Sequence, residues 1–269
     1  MPNSFNLSQI LQSMLLNCLL VIALPLAFAG ILTLINRSTK RRLAHWWDYS
    51  QLLIGGLGTV IHELSHAVAC LIFQHQIIDM QLLKLNLRDN PDHSLGHVNH
   101  RYHSGRLWPT IGNLWIGIAP IFGCSAAIFG LTWLLARPTF ATWMTFAEHP
   151  TWQLNAIGPL FSQLWTTQPG ALLLWLILTS MIAIGGYDLS AADFKGTIPG
   201  IIATVIAVCL VTGLFSFVPT VNTTTWLIGV LTPMAIILTI AVSLSGVCWL
   251  IIAGIFALLL ERTTYHARH

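Results

Sequence analysis

Charge is what this chain has least of. Asp, Glu, Lys and Arg make up 8% of its 269 residues, against about 25% in soluble domains. That scarcity excludes an ordinary water-soluble globule. Hydrophobic residues make up 55% and the mean hydropathy is +0.73. A formal net charge of +3, spread along the chain, excludes a basic nucleic-acid face. Cys-x-x-Cys spacing is also missing. Cys18, Cys70, Cys124, Cys209 and Cys248 all lie in apolar runs, so neither a disulfide framework nor a thiolate zinc site is expected. No basic residue precedes the first apolar run, Leu15 to Ile35. It is therefore read as a retained helix and not a cleaved signal peptide. Internal repeats are lacking, as is any stretch that reads as a second, soluble domain.

What is present is a series of apolar runs, several longer than the roughly 20 residues a bilayer-crossing helix needs. Helices are expected over Met14–Asn36, Ser50–Phe73, Pro109–Ala136, Ala171–Tyr187 and Ile198–Val218. The last run, Trp226 to Leu260, would be about 52 Å long as a helix. It has no charged break and is expected to be one tilted or protruding helix, with a kink at Pro233. Gln74 to Trp108 is the most polar stretch. Ile77–Leu85 and Leu95–Tyr102 flank an Asn90-Pro91-Asp92 turn signal, which predicts a β-hairpin. Its histidines, His93, His97, His100 and His103, are read as surface groups, because His100 opposes the other three on a strand. Arg37–Arg42 next to Trp46-Trp47, and the Trp- and Pro-rich Arg137–Gly170, are expected at the membrane interface. The fold class expected is an all-α polytopic membrane protein of about six transmembrane helices with a small membrane-associated β-hairpin. Residues 1–49 would form a first helix and basic segment, 50–200 a core, and 201–269 two C-terminal helices and a polar tail.

One run carries chemistry. His62-Glu63-Leu64-Ser65-His66 lies inside the second apolar helix. Residues four apart share a helix face, so both imidazoles can reach one metal ion. Glu63 sits beside that face, where it can serve as general base to an attacking water. Two imidazoles and a carboxylate are costly in a lipid-spanning helix, which favours a functional reading over chance. Gly55, Gly56 and Gly58 precede the motif and would let a neighbouring backbone approach closely. Catalytic zinc usually takes three protein ligands. Asp188, Asp193 and Glu148 are the acidic candidates for the third. Ser190 and Asp193 have capping-box spacing, so a simple interhelical turn also accounts for them. In the third helix, Asn113 and Pro120 serve either helix packing or substrate placement.

His62-Glu63-x-x-His66 in a membrane helix, followed about 130 residues later by Ser190-x-x-Asp193-x-x-Gly196 at a helix boundary, resembles the site-2 protease family of intramembrane zinc metalloproteases. The likeness is to the minimal bacterial branch without a PDZ domain and covers about residues 50 to 200. It implies one Zn2+ per chain held by His62, His66 and Asp193, with Glu63 as the catalytic base. It implies a transmembrane protein substrate cleaved within or near its membrane segment. Hairpin residues such as Gly96 and Val98 would align that substrate as an extended strand, beside Asn113 and Pro120. It also implies a bacterial cell-membrane location, with the hairpin and both termini cytosolic. Asp193 is followed by Phe194 where the family usually has glycine. That departure motivates an alternative, a non-catalytic metal-binding scaffold of the same fold. A transporter using Asp188, Asp193 and Lys195 is a further alternative.

Overall fold

The computed structural model describes residues 7–44, 49–85, 95–103, 105–150, 157–218 and 220–266. The long apolar runs form helices because backbone groups away from water must pair within their own segment. In chain order these are α1 (Leu7–Ala44), α2 (Ser50–Ile72), α3 (Leu107–Leu135), α4 (Arg137–Glu148), α5 (Ile157–Ser162), α6 (Pro169–Gly186), α7 (Ile198–Phe215) and α8 (Thr223–His266). Six of them, α1, α2, α3, α6, α7 and α8, are long and apolar enough to cross a membrane. The protein is therefore an integral membrane protein. A hairpin of β1 (Gln76–Gln81) and β2 (His97–Arg101) follows α2. Its antiparallel register pairs Gln76 with Arg101 and Gln81 with His97, with a bulge between Ile77 and Asp79.

The helices pack around Leu32, Ile118, Ile121, Ile128, Trp143, Trp175, Ile182, Tyr187 and Leu238. At the centre, α2 and α6 meet backbone to backbone. A Cβ on Gly58 would lie 2.6 Å from the Gly186 nitrogen, and one on Gly185 would overlap the Gly55 carbonyl. This is the close approach that the glycine cluster before the motif predicts.

Helix directions follow from paired contacts. Along α3, Trp175 Nε1 donates to Thr132 Oγ1 at 2.9 Å, and Tyr187 and Ser125 hydroxyls lie 3.0 Å apart. Farther on, Gly117 abuts the Asp193 carbonyl and Gly200 the Ile111 carbonyl. Along α1, Asn36 Nδ2 donates to the Ala183 carbonyl and Asn17 Nδ2 to Thr212 Oγ1. Thus α6 and α7 run in series, in one direction, and residues 187–197 interrupt a single helical path. In addition, α8 runs parallel to α1, since Asn17 meets Thr223 and Ser38 meets Trp249. Leu7 and His266 consequently lie at opposite ends of the bundle. This corrects the expectation of both termini on one side. Six alternating helices would make five reversals of direction, but α6 and α7 run the same way, which leaves four.

Other differences are local. Arg37–Arg42 are the last turns of α1 and continue that helix. Arg37 and Lys40 find partners on the 187–197 turn. Arg137–Gly170 contains α4, α5 and a 3-10 turn, Gln163–Thr166. Trp143 is fully buried there while Trp165 is exposed. Trp46, Trp47 and Trp152 lie outside the described residues. The final run is one helix that continues through Pro233, as expected.

The glycine contact yields a prediction. Gly58→Leu places a side chain where backbone already lies and should cost about 1–3 kcal/mol through overpacking. The melting temperature of the detergent-solubilised chain should fall by several degrees. Gly30→Ala, where a Cβ meets nothing within 4 Å, should leave it unchanged.

Candidate metal centre

His62 and His66 project from the middle of α2, one turn apart. His62 Nδ1 lies 2.8 Å from the Gly186 carbonyl at the end of α6. His66 Nδ1 lies 2.8 Å from the Ile116 carbonyl in α3. Carbonyl oxygens only accept, so each Nδ1 carries its ring proton and donates it. Each neutral ring is left with a lone pair on Nε2. The two Nε2 atoms face each other at 3.0 Å, and Asp193 Oδ1 lies 3.3 Å from His66 Nε2. Three acceptors converging in a buried place need a positive charge, either a proton on one ring or a cation among the three.

The geometry fits the cation. Tetrahedral zinc with bonds of 2.0–2.1 Å sets neighbouring ligand atoms about 3.3 Å apart. The donor atoms of His62, His66 and Asp193 all lie within 4.8 Å of one another, and they are the only such group of three among the described residues. The outer contacts match as well. Metal-bound imidazoles typically donate their other N–H to a carbonyl or carboxylate, as both do here. Asp193 Oδ2 accepts from the Ser190 N–H at 2.5 Å, and Ser190 Oγ accepts from the Asp193 N–H at 3.3 Å. The capping-box spacing is therefore real, and it aims the remaining carboxylate oxygen at His66.

The other acidic candidates do not join this group. Asp188 is engaged at both oxygens, by Arg37 Nε at 3.0 Å and Lys40 Nζ at 3.0 Å. Glu148 is exposed at the end of α4. Glu63 is buried beside His62. It lines a cavity of about 860 Å³ with Arg37, Lys40, Gln51, His66, Gly96, Val98, His100, Asn113, Asp193 and Lys195. The hairpin folds back along α2, so that Leu83 packs near Gly56 and a Cβ on Gly96 would lie 2.7 Å from Glu63 Cγ. Non-helical backbone at this depth is tolerated where it lines a cavity. Gly96, Val98 and Asn113 are thus brought to the site. Pro120 is not. It is buried in α3, about one turn past Ile116 and Gly117, and belongs to helix packing.

Sequence reasoning missed two contributors. His75 is buried after α2; its Nε2 donates to the Pro109 carbonyl at 2.8 Å and its Nδ1 accepts from His100 Nδ1 at 2.9 Å. Burial, then the facing His75, pushes the His100 pKa down. Hence His100 is a cavity residue, as is half-buried His97, which pairs with Asp79, whereas exposed His103 fits the surface reading. The hydrogen bond from His97 holds the Asp79 carboxyl below its usual range. His93 lies outside the described residues. The second omission is the Arg37–Lys40 pair. Only the positively charged run itself, about 150 residues before its acidic partner, could have signalled it.

No family model, curated protein or solved structure matches the chain.

The site gives a metal prediction. The purified chain should hold about one zinc, measured by elemental analysis, and His62→Ala should hold almost none. Glu148→Ala should retain all of it.

Proposed function

We propose that the chain is an intramembrane zinc metalloprotease of the site-2 type, hydrolysing a peptide bond within or near a membrane segment of another protein. One observation carries the reading: Glu63 and the converging His62, His66 and Asp193 share a cavity walled by an extended strand. Bound zinc would act as a Lewis acid on the scissile carbonyl and make water acidic enough to attack at neutral pH. Glu63 takes the proton from that water and passes it to the leaving amine nitrogen. The Gly186 and Ile116 carbonyls hold the two imidazoles in the tautomer that presents Nε2. Gly96, next to Glu63, and Val98 in the same cavity wall align an unwound substrate segment by backbone pairing. Arg37, Lys40, Gln51 and Lys195 add polar groups to the wall of the same cavity.

Glu63→Gln tests the mechanism. Zinc should remain at about one per chain, while cleavage of a reconstituted membrane substrate should fall by roughly 10²–10⁴-fold. Unchanged cleavage would sink the proposal. Zinc held normally with no cleavage of any membrane substrate by the unaltered chain would favour the metal-binding scaffold. Absence of tightly held zinc would favour the transporter.

The fold-back of the hairpin supports an orientation. It carries Lys84 toward the end of the bundle that holds Arg37, Lys40, Arg41 and Arg42. Under the positive-inside preference that end faces the cytosol, and the Leu7 end faces out. In a background with the native cysteines replaced, Leu7→Cys should react with a membrane-impermeant thiol reagent applied to intact cells. Arg41→Cys should react only after permeabilisation; the reverse pattern would overturn the orientation.

A further inference from the structure

Between Tyr187 and Thr197 the chain has no regular helix, yet this turn must hold the Asp193 carboxylate beside the imidazoles, 3.3 Å from His66 Nε2. Its position is set from outside the turn. Thr33 Oγ1 donates to the Tyr187 carbonyl and accepts from the Leu189 N–H, each at 3.2 Å. Arg37 Nη2 donates to the Leu189 carbonyl at 2.8 Å. Arg37 and Lys40 together engage both oxygens of Asp188. The Ser190–Asp193 pair of hydrogen bonds follows directly. The ties to the Tyr187 carbonyl, Asp188 and Leu189 all come from α1, and Lys40 and Asp188 are only 17% and 18% exposed, so water competes weakly for them.

We infer that Arg37 and Lys40 of α1 are positioning residues for the metal centre: by gripping Asp188 and Leu189 they hold the turn that presents Asp193. The first helix, which lies outside the stretch resembling the protease family, is thereby part of the site. This rests on the three-ligand reading above but not on proteolysis.

The experiment measures Zn2+ affinity of the full-length, detergent-solubilised chain by competition with a chelator. Asp188→Asn, and separately Arg37→Gln with Lys40→Gln, should weaken Zn2+ about 10–100-fold, the usual effect of losing an outer-shell partner. Lys40→Arg should keep most of the affinity. Asp193→Ala should weaken Zn2+ by itself, and adding Asp188→Asn to it should cost nothing further, because the grip acts only through Asp193. A general structural role would instead weaken the two-histidine remnant again. Lys40→Met carries the same test if Asp188→Asn does not fold. Full affinity in the Asp188 and Arg37/Lys40 variants, or additive losses in the double variant, overturns the inference alone. Full affinity in Asp193→Ala overturns the three-ligand reading, and the inference with it.

Discussion

The site depends on how closely two backbones approach. Where α2 crosses α6, glycines on both helices remove the side chains that would hold them apart. Contact at this distance brings the end of α6, and the Gly186 carbonyl with it, to within a hydrogen bond of His62. It also ends α6 beside the motif, so that the following turn falls over His62 and His66. With larger residues at Gly58 or Gly185 the imidazole would lose its orienting carbonyl and Asp193 would move away. In lipid the hydrophobic effect gives little drive for helices to associate, and close packing of small residues takes its place.

The second constraint is the cost of polar groups at depth. Buried imidazoles, carboxylates and non-helical backbone need partners. Here they supply one another. The turn at 187–197 is tied by Thr33, Arg37 and Lys40, its carboxylate is aimed by Ser190, and its carbonyl at Asp193 rests against Gly117. The hairpin covers the open side. The three convergent acceptors need a proton or a cation among them, and their spacing is one that a metal ion would fit.

The tandem arrangement of α6 and α7 unites these points. An interrupted helical path places loop chemistry in the interior of the bundle while both flanking helices stay packed on α1 and α3. It also separates the two ends of the chain across the bundle. Hydropathy alone does not report this, since two collinear helices and two antiparallel ones have the same composition.

Much was legible because it is local. The i, i+4 spacing placed His62 and His66 on one face, alternation marked the hairpin, glycines marked the close contact, and an uninterrupted run marked α8. The sequence by itself determined that this is a helical membrane protein with two imidazoles and a carboxylate on one buried helix, because those features follow from periodicity and solvent transfer. Only the tertiary structure showed which of Asp188, Asp193 and Glu148 stands beside the imidazoles. It assigned Asp188 to Arg37 and Lys40, left Glu148 in the open, removed Pro120 from the cavity and added His97 and His100, the latter held by His75. These choices hang on contacts between residues about 25 to 150 positions apart. Their distances are set by packing, which no spacing along the chain encodes.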